Sequence, residues 1–115
     1  MKSILVIDDE PMILDSMSVI FEDLGYTVVA TADPMNGEKK AIDGEFDLIM
    51  VDVRMPVRNG AELTRAILKA KPAARVVIVT AYPNDPLAQE ALSAGAIALI
   101  AKPFEIGKIL ELLKD

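Results

Sequence analysis

The sequence predicts an α/β protein: a five-stranded parallel sheet with helices on both faces. Short apolar runs rich in β-branched residues alternate with amphipathic stretches, and the pair occurs five times along the chain. The runs are almost continuously apolar, as strands covered on both faces are. The connections are short, and right-handed crossovers between parallel strands then place helices on both sides of the sheet.

Each element has its own signal. Ile4 to Ile7 reads as the first strand. After Pro11, Ile13, Met17, Ile20, Phe21 and Leu24 recur at helical spacing, and Gly25 supplies a C-terminal cap. Tyr26 to Ala30 reads as the second strand, and Asp33-Pro34 as the cap and first turn of a helix running to about Gly44. Leu48 to Val51 forms a third strand ending at Asp52. The loop VRMPVRNG then leads into a helix with Leu63, Ala66, Ile67 and Ala70 on one face, stopped by Pro72. Arg75 to Val79 is a fourth strand ending at Thr80. Pro83 and Pro86 precede a helix built on Leu87, Ala88, Ala91 and Leu92, with Gly95 beyond its end. Ile97 to Ile100 is the fifth strand, stopping before Lys102, and Ile106, Ile109, Leu110 and Leu113 mark the last helix.

Composition narrows the chemistry. At 115 residues, 52% of them hydrophobic and with a mean hydropathy of +0.35, the chain suits one domain over residues 1–115 with a well-filled core. Its 12 basic residues are scattered and outnumbered by 18 acidic ones, a formal net charge of −6, which argues against direct nucleic-acid contact. It has no cysteine and no histidine, so thiolate chemistry, imidazole base catalysis and Cys/His zinc sites are excluded. A bound metal is expected to be hard and oxygen-ligated, most simply Mg2+. No apolar stretch reaches membrane-spanning length, and a cytoplasmic protein is expected.

The acids have a place to meet. Parallel strands end on one edge, where open α/β sheets place their ligand sites. Asp8 and Asp9 follow the first strand, Asp52 the third, Thr80 the fourth and Lys102 the fifth. Two like charges about 4 Å apart repel by roughly 4 kcal/mol at an effective dielectric near 20, so carboxylates gathered in one pocket favour a divalent counterion. With Asp8 and Asp9 on the metal, Asp52 is free to act as nucleophile or acceptor towards a phosphoryl group, its product an aspartyl phosphate. Lys102 and the Thr80 hydroxyl would meet the other phosphoryl oxygens, and Arg54 can lend its backbone carbonyl to the metal with its side chain pointing outward.

In this order and at these strand ends, the motifs resemble the receiver domain of bacterial two-component response regulators over the whole chain. The resemblance maps the family's acidic pair onto Asp8 and Asp9, with Asp9 the more direct metal ligand. It maps the phospho-acceptor motif onto Asp52, Met55, Pro56 and Gly60 in DVRMPVRNG. The switch residue and its small neighbour fall on Thr80 and Ala81, and the lysine on Lys102, before Pro103 in a peptide that is often cis. The resemblance also implies the strand order 2-1-3-4-5 of a flavodoxin-like three-layer sandwich. It implies Mg2+ as cofactor, a sensor histidine kinase or phosphotransfer protein as donor, and a homodimer through the fourth helix, fifth strand and fifth helix. Such a domain assists its own modification without being a turnover enzyme.

One position departs from the family: Leu99 stands where many members carry an aromatic switch residue in the fifth strand. That gives some support to the alternative of a phosphorylation-independent, receiver-like interaction module, and it points to Tyr82, close after Thr80, together with Leu99 as signalling surface. A haloacid-dehalogenase-like phosphatase would need a second Asp at the position of Arg54. A nucleotide site would need a glycine-rich loop where DDEPMI stands.

Overall fold

The structure, a computed structural model, describes residues 2–114. Its elements run β1 (Ser3–Ile7), α1 (Pro11–Asp23), β2 (Thr27–Thr31), α2 (Pro34–Asp43), β3 (Leu48–Asp52), α3 (Gly60–Ala70), β4 (Val76–Thr80), α4 (Pro86–Ser93), β5 (Ala98–Ala101) and α5 (Ile106–Leu112). The strands form one parallel sheet in the order β2-β1-β3-β4-β5.

Side chains alternate across the sheet because strand side chains repeat every two residues. Leu5, Ile7, Ile49, Val51, Val76 and Ile78 join the helical residues Ala41, Leu63, Ile67, Ala88 and Ala91 on one face, beneath α2, α3 and α4. Ile4, Val6, Met50, Val77, Val79 and Ile100 meet Met17, Phe21 and Ile109 on the other, beneath α1 and α5. Both faces are thus covered, as the unbroken apolar runs require.

Some helix positions differ from the sequence expectation. Only Met17 and Phe21 of α1 are buried, while Ile20 is 37% and Leu24 51% exposed, and Ala70 of α3 is also exposed. A helix advances about 100° per residue, so a neighbour of Phe21 already leaves the narrow stripe that touches the sheet. Tyr26 lies before β2 rather than in it, its ring edge-on to Phe21 with centroids 5.9 Å apart.

Helix starts follow the Asp-Pro pattern. Asp33 accepts a hydrogen bond from the Met35 amide and Asp85 from the Leu87 amide, each followed by a proline whose missing N–H is no loss in the first turn. In α3, Asn59 and Glu62 form a reciprocal capping box.

The loop before α3 carries one strained residue, Val57, with φ +72 and 90% exposure. A β-branched side chain in left-handed backbone is disfavoured, and no burial offsets it. Val57→Gly is therefore expected to stabilise the protein by about 1 kcal/mol, read as a raised urea midpoint with an unchanged slope.

Candidate functional site

The sheet register brings the site together. Ile7 lies opposite Val51, so Asp8 comes level with Asp52 at the end of β3. Thr80 pairs with Ala101, and the Lys102 amide donates to the Thr80 carbonyl at 2.8 Å. The Lys102-Pro103 peptide is cis.

The β1 ladder continues one residue past the strand, with the Asp8 amide donating to the Thr31 carbonyl at 3.2 Å. The chain is still extended at Glu10 (φ −95, ψ 111). Residues two apart in extended chain share a side, so the Asp8 and Glu10 carboxylates come together at the site; Glu10, like Asp9, is exposed. Glu10 occupies the cap position of α1 but makes no side-chain cap bond; its carboxylate reaches Lys102 instead.

Lys102 is the hub. Its ammonium lies 3.1 Å from Asp8 Oδ2, 3.1 Å from Glu10 Oε1 and 3.5 Å from Asp52 Oδ1. Asp8 and Asp52 are both buried. Burial, and then the neighbouring Asp8 charge, push the Asp52 carboxyl up to about 7, with Lys102 only partly opposing. Burial also raises Asp8, against the Glu10 amide and Lys102, which favour its ionised form. For Lys102 burial disfavours the charge, but Asp52 and Asp8 outweigh it and hold the ammonium above its usual value.

Asp8, Glu10 and Asp52 each offer a carboxylate oxygen within 4.8 Å of the others. Hard anionic oxygens at this spacing fit a divalent cation of the Mg2+ or Ca2+ kind, and after burial it is the negative charge of Asp8 and Asp9 that raises the Asp52 carboxyl against Lys102.

Gly60 fixes the back of the site. Its amide donates to the Val53 carbonyl at 2.8 Å, and a Cβ there would stand 2.7 Å from the Asp52 carbonyl oxygen and 2.9 Å from Val53 Cα. Both obstacles are backbone, so Gly60→Ala is expected to cost about 2 kcal/mol and to displace the Asp52 main chain. Urea unfolding and the Asp52 amide shift check this. Met55 is buried under the same loop, and Pro56 is exposed.

Thr80 is buried, and its hydroxyl is engaged within its own loop, accepting from the Tyr82 amide at 3.0 Å and donating to the Tyr82 carbonyl at 3.3 Å. Ala81, Tyr82 and Pro103 are exposed. Leu99 is partly buried and packs on the same core as Leu87 and Leu92. The Arg54 side chain is 65% exposed, as expected of an outward-pointing group, yet it reaches across to Asp85 in a two-pronged ion pair.

The structure therefore gathers Asp8, Asp52 and Lys102 as the sequence anticipates, with Thr80 on the same edge. Glu10 joins Asp8 and Asp52 around Lys102, while Asp9, exposed beside them, acts on Asp52 through its charge. Nothing in the run DDE alone marks Glu10 over Asp9; the extended backbone at Glu10 is what brings its carboxylate to Lys102. Asp85 was legible only as a helix cap.

A sequence model of the response regulator receiver domain matches residues 4–114. The chain belongs to the response regulator receiver domain family. Protein CcdB of Bacillus subtilis (strain 168) is 35% identical over 96% of this chain and 93% of its own length. The receiver domain of the Pseudomonas aeruginosa sensor histidine kinase PA1611, solved with magnesium in its active-site cleft, superposes with a TM-score of 0.88. It is 27% identical, covering 97% of this chain and 93% of that one. A Burkholderia pseudomallei response regulator, solved with a phosphorylated aspartic acid, calcium and citrate, also gives 0.88, at 29% identity over 99% of this chain and 67% of that one. The chain spans 24% to 54% of the length of some other curated relatives, and 94% of the chemotaxis protein CheY of Thermotoga maritima. As a receiver domain, the protein is a phosphoryl-accepting component of two-component signalling. None of its described helices is long and apolar enough to cross a membrane.

Proposed function

We propose that Asp52 is the phosphoryl acceptor and that Mg2+ is its cofactor. The observation that supports this best is a buried carboxylate at a strand end, 3.5 Å from a lysine ammonium and beside two further carboxylates. The magnesium in the PA1611 receiver domain and the phosphorylated aspartic acid in the Burkholderia regulator support it by likeness. Asp8, Asp9, Asp52 and the Arg54 carbonyl are the groups that would hold the ion, with Glu10, whose carboxylate lies near those of Asp8 and Asp52, as a further candidate. The bound ion would shield the acceptor carboxylate from the phosphoryl oxygens.

An oxygen of Asp52 attacks phosphorus as the bond to the donor breaks, and the departing electron pair stays with the donor. Lys102 stabilises charge on the transferred oxygens from its fixed place beside Asp52. The Thr80 hydroxyl, released from Tyr82, becomes a donor to the product, and the segment 81–85 moves with it. The donor is a sensor histidine kinase or a phosphotransfer protein, acting in the cytoplasm. The domain is consumed and regenerated as a phosphoprotein rather than working as a turnover enzyme. Tyr82 and Leu99 belong to the face of α4, β5 and α5 through which a homodimer or an output partner would be engaged.

Beryllofluoride, which mimics an aspartyl phosphate, tests the reading. With Mg2+ present, protein-bound 19F resonances are expected in the parent and absent in Asp52→Asn. Bound signals that persist in the variant, or that need no divalent ion, would overturn it.

A further inference from the structure

Arg54 follows the acceptor by two residues, and Asp85 ends the loop after β4, yet their side chains meet with two parallel bonds. Arg54 Nε lies 2.7 Å from Asp85 Oδ2, and Arg54 Nη2 lies 2.8 Å from Asp85 Oδ1. Exposed ion pairs usually contribute little, but here the geometry is forked and the Asp85 side chain is only 5% exposed. Arg54 depresses the Asp85 carboxyl and Asp85 raises the guanidinium, so both stay charged at any pH near neutrality.

Asp85 also holds its own loop and helix. Its Oδ1 accepts the Leu87 amide at 3.0 Å, which starts α4, and its amide donates to the Tyr82 carbonyl at 2.9 Å. The segment between Thr80 and α4 is therefore tied at both ends: the Thr80 hydroxyl holds Tyr82, and Asp85 is held from the acceptor loop by Arg54. Any movement that frees the Thr80 hydroxyl for a group on Asp52 must shift residues 81–85, and the far end of that segment is anchored.

We propose that the Arg54–Asp85 pair is a latch that holds the β4–α4 loop in its resting arrangement and sets how strongly a phosphoryl group must pull to switch it. The latch rests on the reading of Asp52 as acceptor for its consequence, but not for its existence.

Two variants separate pairing from capping. Asp85→Asn keeps a good helix cap while removing the charge, and Arg54→Met keeps the aliphatic stem while removing the fork. Hydrogen exchange without metal or fluoride reads the latch itself: the amides of Tyr82 and Leu87 are expected to exchange faster in both variants, by similar factors. A beryllofluoride titration with Mg2+, followed by the amide shifts of residues 81–93, reads its consequence. The midpoint is expected to fall about threefold to tenfold in each single variant, with no further fall in the double variant, because the two residues act as one unit. Unchanged exchange and midpoint in either single variant would overturn the latch, as would a double variant whose shift is the product of the two. A parent protein that binds no beryllofluoride would contradict the acceptor reading, and the exchange comparison would then decide the latch alone.

Discussion

Lys102→Met is expected to lower the rate of phosphorylation by acetyl phosphate roughly 100-fold and to destabilise the protein at pH 8 by about 3 kcal/mol. The ammonium is the cation facing Asp8, Glu10 and Asp52, and its side chain is only 12% exposed. Without it, two buried carboxylates lose their compensation at once. The transferred phosphoryl oxygens also lose a donor fixed beside the acceptor before reaction begins. The stability loss is expected to shrink at acid pH, where the raised carboxyls of Asp8 and Asp52 are protonated and need no cation. Urea unfolding at the two pH values and a labelling time course measure both effects. A labelling rate like that of the parent would remove Lys102 from the reaction.

Asp52→Asn is expected to act in the opposite direction on stability. The carboxyl is pushed from 3.8 in its ordinary state up to about 7 in the fold, by burial first and by Asp8 next. Between those values the folded protein keeps a proton that the unfolded chain has released, so stability falls as pH rises through the window. Below it both states are protonated and nothing is lost; above it the folded protein carries the full penalty. Asparagine cannot ionise, so at pH 8 without divalent ions the variant should be more stable than the parent by about 1–3 kcal/mol. The difference should close near pH 4 and narrow when Mg2+ is added to the parent. Equal unfolding midpoints at pH 8 would mean that the acidic pocket carries no strain.

The sheet and its two covered faces were legible because burial on both sides leaves unbroken apolar runs, as in Ile4 to Ile7 and Val76 to Val79. The convergence of Asp8, Asp52, Thr80 and Lys102 was legible because parallel strands end on one edge. What stayed hidden depends on side-chain direction rather than position. Asp9 and Glu10 are equivalent and both exposed in a string of acids, and only the extended backbone at Glu10 brings one of them to Lys102. Arg54 and Asp85 lie in different loops, and their pairing follows from the packing of α3 against α4, which no local pattern encodes. The solvent-facing side of α1 illustrates the same limit, since helical spacing marks Ile20 and Leu24 as apolar without saying how wide the contact is.

The most direct test of Asp52 as acceptor is the location of the phosphoryl group itself. After incubation with acetyl phosphate and Mg2+, borohydride reduction converts an aspartyl phosphate to homoserine, which peptide mass spectrometry assigns to one residue. Conversion is expected at Asp52 alone, dependent on the divalent ion and lost in Asp52→Ala. Conversion at Asp8, Asp9 or Glu10 in the parent, or labelling of Asp52→Ala at full stoichiometry, would contradict Asp52 as acceptor.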